Sequence, residues 1–124
     1  MLALRDPNEA YRRSQFDARI NGASAADLVR VCVAEVVDSL ALAILAHRQR
    51  NYQMRSHGLT RTITALTALE MGIDRQAPLA EALLQFYGAA RTRVLDCAIR
   101  FDTPALEEVR SDFTDLRTAF ANAS

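Results

Sequence analysis

The residues able to interrupt regular structure fall into four short clusters, and their spacing is the tightest constraint on the fold. They are Asn21-Gly22-Ala23-Ser24, Ser56-His57-Gly58, Gly72 through Pro78, and Asp102-Thr103-Pro104. Four segments of helical length follow a leader, Asn8 to Ile20, in which Tyr11, Phe16 and Ile20 sit among polar residues. With four glycines, three prolines and abundant alanine, the chain lacks the turn, β-branched and aromatic content of a sheet protein. The connections are too short to separate domains. The pattern predicts one all-α domain over 1–124: an antiparallel up-down four-helix bundle over 24–121, preceded by 1–22 as a mobile, short helical or extended cap segment.

Apolar residues recur at helical spacing in each segment. The first helix is expected from a Ser24 cap, assisted by Asp27, to about Arg50, with Val29, Cys32, Val33, Val36, Val37, Leu40 and Ile44 on one arc. The second is expected from about Leu59 to Met71, with Leu59, Ile63, Leu66 and Leu69 inward, Thr60, Thr64 and Thr67 outward, and Gly72 just past its end. The third should open at Pro78 and run to about Phe101 on a stripe of Leu79, Leu83, Phe86, Tyr87, Ala90, Val94, Cys97 and Phe101. In the fourth, Thr103 caps, Pro104 takes the first position, and Leu106, Val109, Phe113, Leu116 and Phe120 form a single stripe.

Two helices carry more apolar surface than a bundle requires. Val31, Leu42 and Leu45 lie on the far side of the first, beside Glu35 and Asp38; Leu84, Gly88, Leu95 and Ile99 form a second line on the third. Those lines need cover from a neighbouring helix, the leader, a second copy of the chain, or a client. Gly88 would let a client backbone approach closely.

Composition narrows the function. A chain that is 50% hydrophobic and 24% charged, with fifteen acids and fifteen bases, is a soluble domain large enough for its own core, and its zero net charge removes the electrostatic reason to expect nucleic acid. The start MLALRDPNEAYRR lacks a signal-peptide pattern and no apolar run reaches membrane-span length, so the expected location is the cytoplasm, without membrane insertion. Cys32 and Cys97 read as buried free thiols. No catalytic, cofactor or metal constellation is legible. His47 and His57 read as exposed loop residues without metal-ligand spacing, and Glu108, Asp112 and Asp115 as a solvated face. An enzyme would require the two histidines and a carboxylate to meet in one cleft. Charge is unevenly placed: Arg48, Arg50, Arg55 and Arg61 occupy an acid-free stretch from Ser39 to Leu69, while Asp102 to Asp115 holds five acids. Either the two regions complement each other, or a basic end meets an acidic partner.

Ala10-Tyr11 before a polar stretch, Ser24-Ala25-Ala26-Asp27-Leu28 leading into a long helix, Leu79, Leu83 and Tyr87 at helical spacing, and Leu106-Glu107-Glu108-Val109 running on to Phe120 form an ordered series over about Asn8 to Ala121. In order and spacing the series resembles the FliS family of flagellar secretion chaperones. The chain departs from the family pattern at Ala25, Cys32 to Glu35, Gly88, Ala98 and Phe120. The resemblance implies a cytoplasmic helical bundle, without catalysis or cofactor, that binds the disordered C-terminal segment of flagellin, prevents premature polymerisation and presents it to the export-gate protein. An anti-sigma factor is a further client of some relatives. It also implies that Tyr11, Phe16 and Ile20 cap the groove and that Tyr11 docks at the gate. Joined to the surplus apolar lines, it makes Val31, Leu42, Leu45, Leu84, Tyr87, Gly88, Leu95 and Ile99 the expected cargo contacts. The alternative is a homodimeric regulatory or structural bundle without flagellin cargo, whose interface contains Leu84, Leu95 and Ile99.

Overall fold

The computed structural model describes residues 25–122, which form four helices and, among the described residues, no strand: α1 (Ala25–Arg48), α2 (Tyr52–Met71), α3 (Ala80–Ile99) and α4 (Thr103–Asn122). Packing joins α1 to α2 and α4, and α3 to α2 and, more lightly, to α4; the backbones of the diagonal pairs do not meet. This is the cyclic order of an up-down bundle, as short connections dictate. Its centre is Val33, Val36 and Leu40 of α1, Leu66 of α2, Tyr87 and Val94 of α3, and Leu106 and Phe113 of α4, all buried. Phe86 stacks on Phe113 at 5.0 Å between ring centroids and ties α3 to α4. Both cysteines are free and buried, as expected.

The start of α2 differs from expectation by more than a turn. The helix begins at Tyr52, capped by Asn51, whose Oδ1 accepts from the Met54 N–H at 3.1 Å, so Ser56-His57-Gly58 lies inside it. Gly58 is there because the backbones of α1 and α2 meet at that point. A Cβ on it would stand 2.9 Å from both Ala43 N and Ser39 O. One turn on, the Ser39 and Thr62 hydroxyls lie 2.7 Å apart in the buried seam, and each also reaches a carbonyl one turn back in its own helix. Beside them, Arg61 grips Glu35 through two hydrogen bonds of 2.9 Å.

Other helix ends shift by one or two residues. The cap of α4 is Asp102, whose Oδ1 accepts from Ala105 N–H at 3.1 Å, leaving Thr103 as the first helical residue. Pro78 and Leu79 precede α3, and Leu79, expected in its apolar stripe, is largely exposed. Gly72 ends α2 at φ −84°, without using the left-handed conformation open to glycine. That conformation is taken instead by Arg50, at φ 57°. Arg50 N–H bonds His47 O at 3.1 Å and Asn51 N–H bonds Ala46 O at 2.9 Å, the paired bonds of a Schellman cap with arginine where glycine is usual.

Candidate functional site

The two ends of the bundle are built differently. At one, three-residue turns, Gln49–Asn51 and Arg100–Asp102, join α1 to α2 and α3 to α4. At the other, the eight residues Gly72–Leu79 connect α2 to α3 beside the start of α1 and the close of α4. Between the longer connection and the helices lies a half-open cleft of about 340 Å³. Its walls are mainly apolar, Val29 of α1, Leu69 of α2, Ile73 and Ala77 of the connection, Ala80, Leu83 and Tyr87 of α3, and Phe120 of α4, with Arg30 and Asp74 also lining it. A second apolar hollow of about 160 Å³, on the α1–α4 seam, shares Arg30 and Phe120 with it. The apolar surface therefore continues around Phe120. Val29, Leu69, Leu83 and Phe120 read in sequence as inward stripe residues, and Tyr87 as both a stripe residue and an expected cargo contact. Their stripes run to the end of the bundle, where Ala77 and Ala80 are too small to fill the space.

The cargo contacts expected from sequence are divided among several places. Tyr87 is only 2% exposed, in van der Waals range of the cleft, with Phe86 and Phe113 beside its ring. Burial, and then the neighbouring Cys32, push its phenol up from the usual range. Val31 and Leu42 are half-buried and Leu45 exposed on the outer face of α1. Between Val31 and Leu42 that face is crossed by Glu35, held by Arg61, and Asp38, which Arg117 of α4 approaches at 3.8 Å. Leu84 and Gly88 are half-buried on the α2 side of α3, and a Cβ on Gly88 would lie 3.8 Å from Glu70 Oε2. Further along α3, Leu95 is 42% and Ile99 92% exposed. Because α1 and α3 sit on a diagonal, the two surplus lines do not form a single groove. Tyr11, Phe16 and Ile20, and the Ser24 cap, lie outside the described residues.

The histidines are not exposed loop residues. His47 lies in the last turn of α1, stacked on Phe101 at 4.0 Å, and its Nδ1 accepts from Arg55 Nη1 at 2.9 Å. An arginine only donates, so the imidazole proton is on Nε2. His57 lies within α2, half-buried, its Nδ1 without a hydrogen-bond partner among the described residues. The thiols are poor nucleophiles: burial, with Glu35 adding to it, raises Cys32 to about 11, and burial also raises Cys97. Among the described residues no group of three or more His, Cys, Asp or Glu is placed to hold a metal ion, and no helix is long and apolar enough to cross a membrane.

The fold and cleft define an all-α module with an apolar concavity that offers shape and hydrophobic contact. The sequence profile of the family described as Flagellar protein FliS matches residues 7–124, and the chain belongs to that family. It is thus a flagellar export chaperone by family, in a family of chaperones and not of enzymes. No curated protein matches the sequence significantly, so the assignment rests on the family profile.

Proposed function

We propose that the protein binds the disordered C-terminal segment of flagellin, keeps it from polymerising prematurely and delivers it to the flagellar export gate. Membership of the FliS family over residues 7–124 supports this reading. The observation that carries it is the apolar cleft at the open end, together with exposed Leu95 and Ile99 on a separate face. A client that reaches both must be extended and wrap the bundle. A segment ordered only on binding forfeits conformational entropy, so many apolar contacts have to offset that loss. In this reading Tyr11, Phe16 and Ile20 cap the groove before cargo arrives, Tyr11 docks at the gate, and an anti-sigma factor is a further client. Isothermal titration of the full chain with a flagellin C-terminal peptide should give saturable binding with a negative heat-capacity change. Absence of binding at high micromolar peptide overturns the proposal.

Exposed Ile99 and Leu95, one turn apart on α3, favour a second reading, a homodimer through that face. Light scattering separates the two, since a dimer broken by Leu95→Asp would have this face covered before any client arrives.

A further inference from the structure

The end of the bundle opposite the cleft carries three arginines without a carboxylate partner among the described residues: Arg50, Arg55 and Arg100. The acids nearby are otherwise engaged or out of range. Asp102 caps α4, Glu107 reaches Arg48 at 3.7 Å, and Asp96 is not within ion-pair distance of any of the three. Arg55 is held in place. Its guanidinium carbon lies 4.6 Å from the Tyr52 ring centroid and 5.1 Å from that of Phe101, while Nη1 is fixed on His47 Nδ1. This leaves the Nε and Nη2 N–H groups, which have no acceptor among the described residues, on a cation already immobilised. Arg50 supplies a second, independent sign. It holds the left-handed C-terminal position of a Schellman cap, where glycine would sit without strain, and arginine there gives up stability for a charge in the turn.

From this geometry we infer that the end formed by the α1–α2 and α3–α4 turns is a docking surface for an acidic peptide segment, with Arg50, Arg55 and Arg100 contacting its carboxylates and half-exposed Tyr52 its apolar side chains. Charge complementarity selects this partner. Nucleic acid fits less well, because one face of the Phe101 ring is taken by His47 and the Tyr52 ring is engaged by Arg55, so the aromatics are committed to holding the arginine and not to stacking bases. The site is independent of the flagellin reading, lying a bundle length, about 30 Å, from the cleft.

The test is fluorescence anisotropy of the full chain with a labelled peptide of Glu, Asp and Leu, beside the same peptide with Gln and Asn for the acids. At about 50 mM salt the acidic peptide should bind at least about tenfold more tightly, and the gap should close near 500 mM. Arg55→Gln should weaken acidic-peptide binding about fivefold and Arg100→Gln about threefold. Arg50→Gly should raise the melting temperature, since glycine adopts the turn freely, while weakening acidic-peptide binding about threefold. That opposition is a readout a merely structural arginine would not give, and it stands even if Arg55→Gln fails to fold. All three variants should bind flagellin peptide as the parent does. Equal affinity for the two peptides, retention of the acidic preference in the triple variant, or tighter binding of a single-stranded RNA oligonucleotide or of anionic vesicles would each overturn the inference.

Discussion

One end of this bundle is clamped and polar, the other loose and apolar, although the same four helices make both. At the clamped end two short turns, the Asn51 and Asp102 caps and the His47–Phe101–Arg55 stack hold the helix ends in place. At the loose end a longer connection packs on the core through Ile73, and Leu69, Leu83, Tyr87 and Phe120 line a cleft that no described helix fills. The difference teaches where the stability of such a protein can reside and where its binding can. A surface meant to receive an apolar chain has to be left incomplete, and the helices must be fixed elsewhere.

The contrast can be broken most strongly at Gly58. Gly58→Val forces a side chain into backbone atoms 2.9 Å from the Cβ position, and should lower unfolding free energy by about 3 kcal/mol in urea titration. A loss below about 1 kcal/mol would mean that α1 and α2 are not held at this spacing. Midway between the ends, Glu35→Ala leaves Arg61 without its bidentate partner in a seam where both side chains are largely buried, and should cost about 2 kcal/mol. Asp38→Ala on the same helix removes only the exposed approach to Arg117 and should cost less than about 0.5 kcal/mol; equal values for the two would erase the distinction between seam and surface. Phe101→Ala, which removes the ring between His47 and Arg55, should cost about 1.5 kcal/mol and speed amide exchange in the first turn of α2.

The open end should respond in the opposite sense. Ala77→Trp, which places a large ring in the cleft, should change stability by less than about 0.5 kcal/mol yet weaken flagellin-peptide binding at least about tenfold. Unchanged affinity would move the cargo away from the cleft. At neutral pH the thiols should have no effect. Burial holds the folded Cys32 pKa near 11 against an ordinary 9.0, so its stabilising contribution is intact below about pH 9 and is lost as pH rises towards 11. Thiol alkylation of the native protein should remain slow throughout the neutral range.

The bundle itself was legible from residue spacing. Cys32, Val33, Val36, Val37 and Leu40 fall on one arc of a helix wherever its ends lie, and the structure buries all of them. Gly58 was not, because a glycine that breaks a helix and one that lets two helices touch look alike until the partner, here Ser39 and Ala43, is known. The Arg50 turn was hidden for the complementary reason, since it uses a glycine-like conformation without glycine. The cleft was the least legible feature. Val29, Leu69, Leu83 and Phe120 obey the core pattern, and among the described residues the path of residues 72–79 decides that they border a cleft. The surplus lines on α1 and α3 were visible, but their diagonal placement depends on which helices pack together.

That diagonal placement bears on release as much as on capture. On the proposed function, apolar patches on separate faces would present a client not with one strong site but with several weak ones joined by its own chain. Once the first is occupied, the rest meet their segments at the high effective concentration set by the connecting length. Under the same proposal a client would leave in stages: a pull on one end would detach one patch at a time, and no single step would have to overcome the whole affinity.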